Sequence, residues 1–335
     1  MMHDEIIFKV NTFICQISYF CGNNYLYMKL QTPVNDLPCK VGISYNDSIM
    51  MLGSCFADNI GSRLSDYGFN VMVNPFGTLY NPQSILGSVR RLSSGNPFTE
   101  KDCVQMGAGA GLVCSFSHHT SFARREADDF LRCANEALDK AAVFFRECNK
   151  VVITLGTSWC YRFLESGTVV SNCLKRPAKE FARERMSVDD VAGCLTEIME
   201  ICKNAEGTGS RHKDFIFTVS PIRHLADGAH GNQLSKAGLL LGIEEAMGRA
   251  GNGLDGTPCI ADYFPSYEIM MDELRGYRFY AEDMCHPSAQ AEEYICSRFL
   301  DWALPSGEHK ILEENILQLR RSRHIPQKKR QLPAH

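Results

Sequence analysis

Several features that mark other protein classes are missing from this sequence. No stretch comes near the roughly 18 uninterrupted apolar residues that cross a bilayer, so no membrane partner is expected. There is no excess of basic charge either, since 35 Lys and Arg stand against 39 Asp and Glu for a net charge of -4. Without a basic field, nucleic acid is not expected as a main partner. The fifteen cysteines are an odd number, spread from Cys15 to Cys296 with no C-x-x-C pair. A secreted disulfide scaffold is shorter and denser in cysteine, and a zinc site needs clustered ligands. These cysteines read as small core hydrophobes in a reducing compartment, which points to a cytoplasmic protein with no metal. Gly107, Gly109 and Gly111 of "GAGAGL" lack the G-x-G-x-x-G spacing of a dinucleotide site, and no acidic residue follows a βα unit as such a site requires. No cofactor is expected.

What is present alternates between short apolar runs and long amphipathic ones. "SIMML" (48–52), "FNVMVNP" (69–75), "VVITLG" (151–156), "DFIFTVSP" (214–221) and "PCIADYFP" (258–265) read as buried strands. Phe56, Ile60 and Leu64 fall on one face of a helix that Gly68 can close in the left-handed conformation. A long helix is expected over 121–147, another from about Ser235, and a last core helix after Pro287. Strands separated by crossover helices imply an α/β fold with a parallel sheet. Between the third and fourth strands, about 160–212 reads as an insertion. It holds a hairpin around "ESGT" and a helix opened by Ser187 with Asp190 three residues on. Residues 305–335 end in "RRSRHIPQKKRQLPAH" and are expected to be a basic, solvated and disordered tail. Residues 1–27 open with His3, Asp4 and Glu5 rather than the cationic start of a signal peptide. They read as an N-terminal extension before a natural start at Met28.

In "MMLGSCFADNIGSRL" (50–64) a strand ends in Gly-Ser-Cys and a helix begins at once. Chemistry in open parallel sheets collects at such carboxyl-end corners. Ser54 sits where a helix N-terminus presents free N–H groups, so it can be a nucleophile or simply an N-cap. Cys55 beside it is the alternative, a thiol whose pKa a helix N-terminus can lower. A serine needs a base and an orienter, and "DMCHPS" (283–288) supplies Asp283 and His286 three apart, just before the last helix. Asp227 and His230 in "DGAH" repeat the spacing and are the fallback. Arg223 and His224 follow the fourth strand and are candidates for substrate binding. His118 and His119 are adjacent on an extended run and face opposite ways, which argues against joint metal ligation. Tyr263, Tyr267 and Glu268 stand where a pocket rim would be, although aromatics there are more often packing.

At this point the sequence resembles a known family. "GSCFA" (53–57) looks like the signature that names the GSCFA family, which is similar to the SGNH/GDSL hydrolases. "NPFGTLYNP" (74–82), "LGTSW" (155–159), "SPIRH" (220–224), "YFPSYE" (263–268) and "DMCHPS" resemble its other blocks, in order. "MKLQTPV" resembles the typical family start. The resemblance implies a flavodoxin-like three-layer α/β/α domain of the SGNH type over 28–304, hydrolysing an ester through an acyl-enzyme on Ser54. Asp283 would orient His286, which would act as general base and then acid. Ser54 and Gly77 would give oxyanion N–H groups. The third block departs from the pattern, because "GTSW" puts Ser158 and Trp159 where SGNH enzymes carry Asn and Asp. Thr157 or Ser158 would have to replace the missing donor, and losing such a donor costs about 10²–10³ in rate. The implied substrate is a small-molecule or glycan ester with an O-acetyl or other short O-acyl group. A lipase or thioesterase, and a non-catalytic ligand-binding module, are the alternatives. Oligomeric state is left open.

Overall fold

The computed structural model describes residues 32–34, 38–206, 210–251 and 259–324, together with a short strand pair at 18–19 and 26–27. Most of the expected N-terminal extension therefore lies outside the described residues. Five parallel strands form the central sheet: β1 (Ser48–Gly53), β2 (Asn70–Val73), β3 (Lys150–Leu155), β4 (Asp214–Val219) and β5 (Ala261–Phe264). Their order across the sheet is β5-β4-β3-β1-β2. Read from the other edge this is 2-1-3-4-5, the flavodoxin-like order, with its topological switch point between β1 and β3.

The strands alternate side chains between two cores. Met50, Leu52, Val151, Ile153, Phe215 and Phe217 face one side. Ile49, Met51, Val152 and Ile216 face the other. The first core is covered by α2 (Pro82–Ser94), α3 (Ala127–Glu147), α4 (Val188–Glu206) and α5 (Gly228–Gly251). The second is covered by α1 (Cys55–Asp66) and α6 (Ala289–Ala303). This is a three-layer α/β/α fold, in which near-continuous apolar strands are buried on both faces. Cys114, Cys148 and Cys194 sit in the first core and Cys296 in the second, as small apolar side chains.

Several boundaries differ from the sequence expectation. The long helix begins at Ala127 rather than 121, because residues 120–122 form a separate turn capped by His119 and the Arg124 backbone is paired with Val113. Helix α5 begins at Gly228, well before Ser235. Helix α6 does begin after Pro287, as expected: Pro287 bridges to Tyr280, and Ser288 caps the helix by accepting from Ala291 N–H. Within 160–212, the hairpin is a three-stranded antiparallel sheet of 159–163, 169–170 and 181–185. Ser187 and Asp190 cap α4 as expected, and α4 lies between α2 and α5 as the crossover from β3 to β4.

The described part of the tail, up to residue 324, is a correction, while residues 325–335 lie outside the described residues. Residues His309–His324 form helix α7, with Leu312 buried and Asn315 donating to the Tyr67 carbonyl. Its basic residues suggested a solvated end, but Leu312 and Ile316 at i, i+4 give it an apolar stripe that docks on the second core.

Candidate active site

The corner between β1 and α1 depends on Gly53. Its φ is +141°, and a Cβ there would lie 2.1 Å from the Thr154 carbonyl oxygen of the neighbouring strand. Only glycine lets β1 run this close to β3 and then turn. Asn74, at the end of β2, takes the Gly53 N–H on its side-chain oxygen and donates its amide to Asp58 in α1. Ser54 follows as the N-cap of α1, its hydroxyl accepting from Phe56 N–H at 3.3 Å. It is wholly buried.

Across the same edge of the sheet, loop 280–287 presents the Asp-x-x-His pair. His286 Nδ1 lies 2.5 Å from Asp283 Oδ2, while Asp283 Oδ1 accepts the N–H groups of Cys285 and His286, each at 2.9 Å. Those two backbone donors, with the imidazole third, push the Asp283 carboxyl down to about 2. A fixed carboxylate on Nδ1 leaves Nε2 as the reactive nitrogen. Both side chains are about half exposed. The loop is anchored to the end of β4, where Arg223 N–H donates to the Cys285 carbonyl and its guanidinium to the Met284 carbonyl. Helices α1 and α6 run side by side, joined by Asn59 to Glu292 and by Arg63 to the Ala289 carbonyl. Ser54 and His286 thus precede neighbouring helices at one edge. No hydrogen bond joins them in this structure.

The four expected oxyanion donors are each already bonded within the protein. Ser54 N–H donates to the Thr154 carbonyl and Gly77 N–H to the Asn74 carbonyl. Thr157 and Ser158 are buried, and both hydroxyls, with Ser158 N–H, meet Ser235 Oγ of α5 at 2.8–3.2 Å. The residues standing where SGNH enzymes carry Gly-x-Asn-Asp therefore fasten a turn to a helix. Gly77 has φ +87°, and a Cβ on it would strike His119.

Arg223 and His224 both reach the site region. Arg223 acts as a strut to the 280–287 loop and lies 5.3 Å from the Tyr280 ring centroid. His224 packs edge-on against Tyr80, and its buried Nε2 has no hydrogen-bond partner. Burial first, then Lys236 and His286, hold it down at about 4, so it is neutral at physiological pH. The fallback pair separates. Asp227 is ion-paired with Arg183, and His230 lies exposed in the first turn of α5. His118 is a core residue among Phe76, Phe98, Phe122 and Phe130. Tyr263 and Glu268 bond to each other, and Tyr267 bonds to Gln233. The Cys55 thiol is pushed above its usual value by burial and by Asp58, against the lowering considered for a helix N-terminus.

The sequence reading missed Ser235 and Lys236. Lys236 is fully buried, and its ammonium donates to the Gly156 and Ser220 carbonyls at 2.7 Å each. Asn232, Ser235 and Lys236 share the buried stripe of α5 with Leu239 and Ile243. Polar residues at the spacing of an apolar stripe are the signal that could have found them.

The model of the GSCFA family matches residues 48–299. The chain belongs to the GSCFA family. That match runs from β1 through most of α6 and so includes Ser54, Gly77, Lys236, Asp283 and His286. No curated protein matches. Among solved structures, an acetyl xylan esterase from the rumen bacterium Butyrivibrio proteoclasticus is similar at 10% identity and a TM-score of 0.38. The likeness covers 78% of this chain and 64% of that one, so the chain spans less than two thirds of that protein's length. A likeness of that size does not extend to chemistry. Among the described residues no helix is long and apolar enough to cross a membrane.

Proposed function

We propose that this GSCFA protein is a serine esterase acting through Ser54, His286 and Asp283. The observation that carries the reading is the Asp283–His286 pair, closed at 2.5 Å with the carboxylate pinned by two backbone N–H groups. That arrangement fixes one tautomer and supports the imidazolium formed when Nε2 takes a proton. Catalysis requires the Ser54 hydroxyl to leave its cap contact and meet Nε2, a bond that commonly tightens only with substrate present. Attack on the ester carbonyl gives a tetrahedral intermediate, and His286 returns the proton to the departing alcohol. Water then repeats the sequence on the acyl-enzyme. The oxyanion would lie against the first turn of α1, where N–H groups lack intrahelical acceptors, with Gly77 and Ser54 N–H exchanging their present partners for it.

Ser54 is wholly buried, and a Cβ on Gly156 would touch both it and Tyr80. Little space for an acyl chain favours an O-acetyl or other short O-acyl group, carried by a carbohydrate or small molecule. Arg223 and His224 would contact the alcohol part. A second reading, a ligand-binding module without catalysis, draws on the engagement of all four expected oxyanion donors.

Hydrolysis of p-nitrophenyl acetate and butyrate, with fluorophosphonate labelling, separates the two. The esterase reading expects turnover and labelling in wild type, both lost in Ser54→Ala. An unlabelled wild type with no turnover above Ser54→Ala supports the binding module.

A further inference from the structure

Among the described residues, the ammonium of Lys236 is fully buried. A cation taken out of water without a counter-ion is expensive, so such a group rarely survives without a task. Among the described residues no carboxylate acts on Lys236. Burial pushes it down to about 7. Its Nζ lies 5.6 Å from the Tyr267 ring centroid, donates to the Gly156 and Ser220 carbonyls, and acts electrostatically on His224 and with Cys55. Those two carbonyls close β3 and β4, the strands whose following loops form the site. Ammonium and neutral amine both offer at least two N–H donors, so both can hold two carbonyls.

The two acceptors are not equivalent to a random pair of loop carbonyls. Gly156 abuts the nucleophile, for a Cβ on it would lie 3.4 Å from Ser54 Cβ and 3.4 Å from the Tyr80 ring. Ser220 opens the segment carrying Arg223, which in turn binds the Met284 and Cys285 carbonyls of the loop holding Asp283 and His286. One amine therefore stands between the wall beside Ser54 and the support of the His286 loop. Ser235, the preceding residue, fastens Thr157 and Ser158 to the same helix.

We propose that Lys236 is a positioning residue for catalysis: by holding the Gly156 and Ser220 carbonyls together it sets the place of the Ser54 pocket wall relative to the His286 loop. This deepens the esterase reading and rests on it. Lys236 acts through those two peptide groups and touches no reacting atom. Misplacement of about 1 Å in such a site can cost about 10² in rate without a change in binding.

The test compares purified full-length wild type with Lys236→Met, which keeps length and removes the donors, and Lys236→Arg, which keeps donors. Each is measured for kcat and KM on p-nitrophenyl acetate, for the rate of fluorophosphonate labelling, and for its thermal melt. The expected result is a folded Lys236→Met with kcat about 10²-fold lower, KM nearly unchanged, and labelling slowed in proportion. Lys236→Arg should recover about tenfold of that loss. A folded Lys236→Met with wild-type kcat and labelling overturns the assignment and leaves the esterase reading standing. So does a failure of both variants to fold, which makes the lysine a structural brace. A wild type that neither turns over nor labels overturns the esterase reading itself, and the assignment with it.

Discussion

Two loops at the carboxyl edge of the sheet carry short polar side chains, and they use them in opposite ways. The loop of Asp283 and His286 is about half exposed and bonds its polar groups to one another, three residues apart. The Gly156–Ser158 turn is buried and sends its hydroxyls to Ser235, nearly 80 residues away. The first loop keeps a titratable nitrogen available at the surface. The second spends its hydroxyl donors on holding α5 in place. Polar residues close together at one edge are therefore not one site, and the hydrogen-bond partners decide which of them can meet a substrate.

The sharpest way to break this comparison is to remove one member from the exposed loop. His286→Ala should lower kcat on p-nitrophenyl acetate by about 10⁴ while the melting profile stays near wild type, since the ring is half exposed and its hydrogen bond is to Asp283 of its own loop. Asp283→Asn should cost less, about 10², because the tautomer is lost but the imidazole remains. The Asp283 carboxyl, held at about 2, lies below the ordinary carboxylate value. Its support of the pair is complete above that ordinary value and lost only as pH falls through about 2. A carbon-13 titration placing Asp283 near 4 instead would show that the two backbone bonds are not formed in solution.

The same contrast explains what the sequence made legible. The five strands, their parallel arrangement and the corner at Ser54 follow from local pattern: apolar runs, the Gly-Ser step and the stripe of Phe56, Ile60 and Leu64. The Asp283–His286 pair was readable because its partners are three residues apart. The bonds of Ser158 to Ser235, and of Lys236 to Gly156, join residues far apart in the chain, and no spacing rule reaches them. Arg124 is a further case, where pairing with Val113 overrides a helical pattern and delays α3. The tail misled for the opposite reason, since its basic residues outweighed a narrow stripe through Leu312 and Ile316.

A smaller effect should follow from the buried turn. Ser158→Ala removes one hydroxyl from the Ser235 cluster, so a loss of about 1 kcal/mol in urea denaturation is expected, with kcat nearly unchanged. If Ser158 instead served the oxyanion, kcat would fall about 10²–10³ with little change in stability. The ratio of these two effects measures whether the turn is structural or catalytic.

The smallest effect is expected at Cys55, where two adjacent nucleophile types can be told apart. Burial raises its thiol above the usual value of 9.0, Asp58 and Glu292 raise it further, and the N–H groups of Cys55 and Phe56 oppose them. A raised value means the neutral thiol dominates at pH 7–8, and the thiolate forms only at more alkaline pH. Cys55→Ala should therefore keep wild-type kcat/KM on p-nitrophenyl acetate. Iodoacetamide at pH 7.5 should leave activity intact on the timescale in which fluorophosphonate abolishes it. Rapid inactivation that Cys55→Ala removes would place the thiolate, and not the serine hydroxyl, at the head of α1, and the reason for a buried Ser54 would then be its cap alone.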